Sequence, residues 1–172
     1  LGGGGKSLGG AVGGGLMALL GALAFNALKG SAGHRAMMPV GLLEPQTPQE
    51  QAQLDENSEL VLRAMINAIK ADSRVDQNEI ERMMGKFSEA GIDDEGRHYL
   101  MGQLRQPMET ERLITAAEGQ PELAAQIYAA SLMAIEVDTP EERSYLDRLA
   151  AGMGLAPQVA KRIEQMVGLH IQ

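Results

Sequence analysis

Two acidic turns contain the residues of this sequence that are best suited to chemistry. The first follows an apolar helical pattern and contains Asp72, Asp76 and Glu79. The second follows a similar pattern and contains Asp138 and Glu142. Carboxylate oxygens are the ligands that calcium, magnesium and manganese prefer in proteins. If the two turns meet in space, the five carboxylates can form either a divalent-cation site or a polar docking surface.

Helix capping is a second interpretation of some of these acids. Asp76 and Glu79 have the spacing of a capping box, and Glu142 follows a threonine at the same spacing. Asp72 and Asp138 are different, because each would end the preceding helix, where negative charge is unfavourable. Capping explains Asp76, Glu79 and Glu142 without a ligand, whereas the positions of Asp72 and Asp138 favour a cation site.

The composition argues against several other kinds of site. The net charge of -8 argues against nucleic-acid binding, which needs a basic surface, and favours cations or basic protein partners. The absence of cysteine excludes disulfides and thiolate ligands, and the three histidines share no helical spacing that would indicate zinc. No nucleophile with a base is recognisable, so the sequence predicts neither an enzyme nor an organic cofactor.

The elements that position the two turns are predicted to be helices. Thr47-Pro48-Gln49-Glu50 and Thr139-Pro140-Glu141-Glu142 are capping boxes with proline at the first helical position. No segment alternates as a strand would, so we expect an all-α bundle of about seven helices. The predicted helices run from Pro48 to about Ala71, Asp76 to Gly91, Asp93 to just before Pro107, about 109–118, from Pro121, from Thr139 to about Gly152, and from about Pro157.

The apolar faces of these helices predict the core. Only 3% of the residues are aromatic, so aliphatic side chains and the 11 methionines are expected to fill it. Tyr128 and Tyr145 are predicted as core or interface residues, and Ser131 as a packing residue. The predicted inward residues are Leu54, Val61, Ala64, Met65, Ala68, Ile69, Ile80, Met83, Met84, Phe87, Tyr99, Leu100, Leu104, Leu123, Ile127, Tyr128, Leu132, Ile135, Val159, Ile163, Met166 and Val167.

The chain divides into three parts by composition. Residues 1–38 are glycine-rich and apolar, and residues 39–57 form a proline-containing linker with a helix start. Residues 58–172 form the helical domain. Because the chain begins with leucine rather than methionine, we expect further residues before it.

The apolar segment 8–28 is a predicted transmembrane helix. It carries no charge, and its length suffices for a bilayer, which takes about 20 residues. A flexible tail, or a helix that packs on its own domain, is the alternative. The excess of positive residues after it favours a cytoplasmic domain. Small residues recur on one face, as in packed membrane helices: Gly10, Gly14, Ala18 and Ala22.

Three motifs of this sequence resemble those of the TerB-like fold, named after a bacterial tellurite-resistance protein. They are Ala68-x-Lys-Ala-Asp72-x-x-Val-Asp76-x-x-Glu79, Tyr128-Ala-Ala-Ser131-Leu, and Asp138-x-x-x-Glu142-x-x-Tyr145-Leu-x-x-Leu-Ala. With its glycine-rich N-terminus, the whole arrangement is similar to the YebE-like bacterial inner-membrane proteins of unknown function.

The resemblance implies a helical bundle of two related halves with a divalent-cation site. The implied ligands are Asp72, Asp76, Glu79, Asp138 and Glu142. The second turn is shorter than the first, so the two halves would not coordinate a cation symmetrically. Tellurite resistance itself is not carried over, because a fold does not determine a function.

The favoured function is binding. We expect a membrane-anchored, non-enzymatic module of the bacterial inner membrane that binds a divalent cation or a protein partner during stress. One alternative is a structural protein that assembles with copies of itself or other proteins through its glycine-rich face, without a metal. Another is a metal-dependent hydrolase that uses the same carboxylates.

Overall fold

The computed structural model describes residues 15–29, 45–72, 77–89, 94–135, 137 and 139–170. Across these residues the regular structure is helical, without a strand, which confirms the all-α prediction. A 3-10 turn over Lys70–Asp72 follows the second helix. The helices within the described ranges are α1 (Gly15–Leu28), α2 (Pro48–Ile69), α3 (Gln77–Glu89), α4 (Asp94–Leu104), α5 (Thr110–Ala116), α6 (Pro121–Ala134), α7 (Pro140–Gly152) and α8 (Pro157–His170).

Both predicted capping boxes are present, at the starts of α2 and α7. In α2 the Thr47 hydroxyl accepts the Glu50 N–H at 3.1 Å, and the Glu50 carboxylate accepts the Thr47 N–H at 3.2 Å. Thr139 and Glu142 make the same two bonds in α7, at 3.1 and 3.2 Å. These bonds satisfy backbone donors that the first turn of a helix leaves unpaired. The residue spacing was therefore sufficient to place both helix starts.

The other helix bounds lie close to the predicted ones. α3 begins directly after Asp76, and α4 begins directly after Asp93, although both of these predicted starts lie outside the described residues. α5 is shorter than predicted, and the chain leaves it through Gly119 at a φ of 73°. Glycine occupies this left-handed region without the clash that a side chain would cause.

The helix α6 lies at the centre of the fold. All of its residues from Leu123 to Ala134 are buried, and α1, α2, α7 and α8 pack against it. Ser131 is fully buried as predicted, and its hydroxyl donates to the Ile127 carbonyl at 2.9 Å. A helix that is apolar on every side must be covered on every side. The predicted core residues of α2, α6 and α8 and Ile135 are buried, except Met166, which is half-buried. Ile80, Met84, Tyr99 and Leu104 of α3 and α4 are half-buried, and the side chains of Met83, Phe87 and Leu100 lie outside the described residues.

The described part of the apolar N-terminal segment is a core helix. α1 packs against α6 and α8, and Met17 and Leu20 are completely buried. Arg162 of α8 donates to the carbonyls of Ala27 and Lys29 at 3.0 and 3.3 Å. It thereby satisfies acceptors at the C-terminal end of α1, where positive charge is favourable. For the described residues of this segment, the structure therefore shows a helix that packs on its own domain. This was the alternative to a transmembrane helix.

The described length of α1 differs from that of the predicted transmembrane helix. α1 has 14 residues, and no helix within the described ranges combines the length and apolar character needed to cross a membrane. Residues 8–14 of the predicted span lie outside the described residues, and so do two members of its small-residue face. The other two members, Ala18 and Ala22, are half-buried.

Candidate functional site

The helices α5 and α7 lie side by side and run in the same direction. Arg148 of α7 donates to the Glu111 carboxylate of α5 at 2.8 Å. Farther along, α7 approaches α5 so closely that a Cβ added to Gly152 would lie 2.5 Å from the Cδ1 of Ile114. Since Arg148 lies near Glu111 and Gly152 lies near Ile114, the two helices are parallel, with both N-termini at the same end of the pair.

An open groove of about 770 Å³ separates the N-terminal parts of α5 and α7, and we call it the α5–α7 groove. The 3-10 turn after α2 packs against α7 and also borders the groove. The end of α2 and the starts of α5 and α7 therefore meet at one place. The groove is lined by Ala71, Met108, Glu109, Thr110, Glu111, Arg112, Pro140, Glu141, Ser144, Tyr145 and Arg148.

One buried side chain of α2 joins the two walls of the groove. Asn67, which is 1% exposed, donates from Nδ2 to the Tyr145 hydroxyl at 2.8 Å and to the Thr110 hydroxyl at 3.1 Å. Its Oδ1 accepts the Glu109 backbone N–H at 2.8 Å. The amide thus uses both of its hydrogens and its oxygen. Because hydrogen bonds have strict geometry, this network fixes the relative positions of α2, α5 and α7.

Tyr145 forms part of the floor of the groove in its protonated form. Burial raises the pKa of Tyr145 to about 12, and the hydrogen bond from Asn67 opposes part of that rise. Deprotonation would place a negative charge in a site that is 7% exposed, which costs desolvation free energy. At neutral pH the hydroxyl therefore remains neutral and serves as a structural hydrogen-bonding group.

Two cationic side chains of the α2 region hold the end of α4 and the start of α5. Arg63 donates to the Glu109 carboxylate at 2.8 Å, and its side chain is 13% exposed. Burial lowers the pKa of Lys70, and the negative charge of Glu109 opposes part of this change. The Lys70 ammonium donates at 2.8–3.3 Å to three backbone carbonyls near the end of α4, those of Gln103, Gln106 and Pro107.

The rim of the groove combines one exposed apolar side chain with charged groups. Met108 is 41% exposed, whereas most large apolar side chains of the described residues are buried. Glu111, Glu141 and Arg148 are exposed around it. The rim therefore offers a partner one apolar contact among charged and polar groups.

Among the five predicted cation ligands, Glu142 is the one whose side chain the structure describes. Asp76 and Asp138 lie outside the described residues, as do the side chains of Asp72 and Glu79. Glu142 is 1% exposed and accepts the N–H of the preceding Thr in the capping box of α7. Its observed role includes the capping interpretation that the spacing suggested.

Described neighbours of both acidic turns line one groove. Ala71, which precedes the first acid, and Pro140, which follows the second turn, border the same groove. The described residues contain no group of three or more carboxylate or histidine side chains that could hold a metal ion. Because four of the five predicted ligands have no described side chain, the cation site stays a prediction.

The residues that build the groove were not predicted as site residues. Asn67 lies in an otherwise apolar run between Ile66 and Ala68, and a polar residue in such a run signals a buried hydrogen-bond network. Glu109 and Arg63 are far apart in sequence, and no local pattern connects them. Tyr145 was recognised only as a core or interface aromatic.

Comparisons with known proteins give a family match without an activity. A model of the family described as "Protein of unknown function (DUF533)" matches residues 1–167. The chain is similar to an uncharacterized protein in the ampR 5' region of Yersinia enterocolitica, with 28% identity over 122 residues. The match covers 71% of this chain and 87% of that relative. No solved structure matches the chain.

Proposed function

Because the chain belongs to the DUF533 family, a TerB-like family whose description names no activity, we propose a function from the geometry of the groove. The protein is a non-enzymatic binding module that holds a segment of a protein partner in the α5–α7 groove. The observation that carries this proposal is an open groove whose two walls are joined by a buried hydrogen-bond network and whose rim exposes Met108.

The size and stiffness of the groove support the proposal. Its volume of about 770 Å³ and its open side leave room for a short segment of a partner chain. The bonds of Asn67 to both walls reduce the ordering that binding would otherwise require. An exposed methionine suits variable apolar partners, because its side chain is flexible and polarizable.

Several polar groups of the lining are already engaged within the protein. The Thr110 hydroxyl accepts a hydrogen bond from the buried Asn67 amide. The carboxylates of Glu109 and Glu111 pair with arginines at 2.8 Å. This engagement supports a binding role for the groove.

Peptide selection against the full chain tests the proposal. A random dodecapeptide library displayed on phage would be selected on the protein, and the affinities of enriched peptides would be measured by fluorescence anisotropy. Met108→Ser should weaken binding about fivefold or more, because it removes the exposed apolar side chain of the groove. Met101→Ser is the matched control, since Met101 is 42% exposed and does not line the groove.

A second pair of variants tests the groove by filling it. Ser144→Tyr would occupy the groove, whereas Ala151→Tyr places the same side chain on an exposed position of the same helix that does not line the groove. Selected peptides should lose binding to the first variant alone. The proposal is wrong if no peptide is enriched, or if each groove variant and its control bind equally well.

The acidic turns favour a second candidate function, binding of calcium, magnesium or manganese. Its support is that the turn ending at Asp72 packs against α7, which follows the turn that contains Asp138. A cation at about 100 times its dissociation constant would raise the free energy of unfolding by about 2.7 kcal/mol. Thermal unfolding of the full chain with each cation would show this rise, and Asp72→Ala would abolish it while Glu56→Ala, a change at an exposed residue of α2, would not.

A separate proposal concerns the location of the protein. It is attached to the bacterial inner membrane, its helical domain lies on the cytoplasmic side, and it has a role in stress. The proposal is based on the uncharged sequence of residues 8–28, and it requires α1 to leave α6 and α8 when the segment enters the membrane. Sedimentation of the full chain with isolated membranes, and resistance to extraction by high salt, would support it. Recovery of the whole protein in the supernatant at low salt would contradict it.

A further inference from the structure

Most charged groups of the α5–α7 groove already have partners within the protein. Glu111 pairs with Arg148 at 2.8 Å across the groove. Glu109 pairs with Arg63 at 2.8 Å and with Arg112 at 3.3 Å. These pairs neutralise the middle of the groove and the side formed by α5, so neither of these regions attracts a charged ligand strongly.

The end of the groove near the acidic turns has a different charge. Glu141 is exposed in the first turn of α7, and none of the ion pairs between described residues uses it. Pro140, which precedes Glu141, and Ala71 also line the groove. Among the charged side chains of the lining, Glu141 is therefore the one that no ion pair between described residues neutralises.

We infer that the segment bound in the groove is both basic and apolar. An arginine or lysine of the partner lies opposite Glu141, and an apolar side chain next to it covers Met108. The inference rests on the proposed function and adds the chemistry of the partner. The net charge of -8 strengthens it, because a negatively charged protein attracts basic segments before contact is made.

The same peptide selection, with charge variants, tests the inference. Peptides selected on the full chain should be enriched in arginine or lysine beside an apolar residue. Glu141→Lys should weaken their binding about tenfold, because it replaces an attraction by a repulsion at the contact. Glu141→Gln should have a smaller effect in the same direction, and it keeps the inference testable if the lysine variant unfolds.

The control carries the same change of charge away from the groove. Glu56 is exposed on α2 and does not line the groove, so Glu56→Lys alters the net charge equally. Its effect on the dissociation constant should stay within about twofold at 0.15 M salt, where screening limits charges that are not in contact. An equal effect of the two lysine variants would overturn the inference.

Other results separate the inference from the proposed function. Peptides that need Met108 but contain no basic residue would overturn the inference and leave the proposed function intact. Peptides that bind without regard to Met108 would overturn both. Sedimentation velocity identifies a different occupant: if Met108→Ser converted a dimer to a monomer, a second copy of the chain would cover the groove and the inference would be wrong.

Discussion

The apolar and polar sides of the bundle are held together by different interactions. On the apolar side, α1 packs against α6 and α8 through side chains such as Met17 and Leu20. On the polar side, Asn67 joins α2 to α5 and α7 through three hydrogen bonds of 2.8–3.1 Å. Apolar burial is non-directional, whereas hydrogen bonds fix distances and angles. We therefore expect the apolar side to supply stability and the polar side to fix the shape of the groove.

Removal of α1 should have the largest effect, because it eliminates the apolar side. α1 buries Met17, Leu20, Leu23 and Leu28. At about 1.5–3 kcal/mol for each large side chain, their loss approaches the total stability of a typical domain, about 5–15 kcal/mol. Residues 45–172 should lose cooperative thermal unfolding and bind the dye ANS, whereas residues 15–172 should not. An unchanged, sharp unfolding transition of residues 45–172 would contradict the expectation that the apolar side supplies the stability.

A smaller change on the same helix sharpens the comparison. Leu20 is completely buried, whereas its neighbour Leu19 is half-buried. Leu20→Ala should lower the free energy of unfolding by about 2–5 kcal/mol, since it removes buried methyl groups and leaves a cavity. Leu19→Ala should cost clearly less in the same urea titration. Equal losses would mean that the face of α1 turned toward α6 and α8 has no special role.

Alkaline pH should weaken the polar side through Tyr145. Its pKa is about 12 in the folded protein and about 10 in the unfolded chain, so the folded state holds the proton more tightly. This contribution is complete below pH 10 and is lost as the pH rises toward 12, by up to about 3 kcal/mol. Urea unfolding at several pH values should show the loss, and Tyr145→Phe should flatten the curve. Tyr128, whose pKa burial also raises to about 12, remains in both proteins as a constant background.

Truncation of the central amide tests the polar network itself. Asn67→Ala leaves the Glu109 N–H and the Tyr145 hydroxyl without their buried partner, at about 1–3 kcal/mol. Tyr145→Phe removes one bond and should cost less. The double variant should lose less stability than the sum of the two single losses, because both changes remove the same hydrogen bond. Peptide binding to the groove should fall in Asn67→Ala even where the protein stays folded.

The smallest effect is expected at the exposed ion pair across the groove. Arg148 and Glu111 are 65% and 77% exposed, so Arg148→Ala should change stability by about 0–1 kcal/mol. Arg63→Ala should cost more, because Arg63 is 13% exposed and leaves Glu109 without its close partner. Chemical unfolding in low and high salt distinguishes the two. A larger loss of stability in Arg148→Ala than in Arg63→Ala would contradict this ranking by burial.

The helices were predictable from the sequence because their signals are local. The capping boxes at Thr47 and Thr139 and the prolines after them lie within four residues, and the structure contains both. The apolar stripe of α6 is local in the same sense, and its burial was predicted correctly. The role of α1 was not decided by these signals, since an uncharged helix suits either a membrane or a protein core.

The candidate site was less predictable for the opposite reason. Asn67 lies in α2, Glu109 directly precedes α5, and Tyr145 lies in α7, so that Glu109 and Tyr145 are 42 and 78 residues from Asn67 in sequence. No spacing rule links them, and a polar residue inside an apolar run was the single signal available. The sequence instead directed attention to the acidic turns, whose neighbours border the groove.

The sequence by itself determined the all-α class, the helix starts and many core residues of α2, α6 and α8, because each depends on neighbours within one or two helical turns. Tertiary structure decided which helices meet. It placed α1 against α6 and α8, and it brought the end of α2 to the starts of α5 and α7. Those contacts join residues that are distant in the chain, and only the packing of apolar faces around α6 selects them.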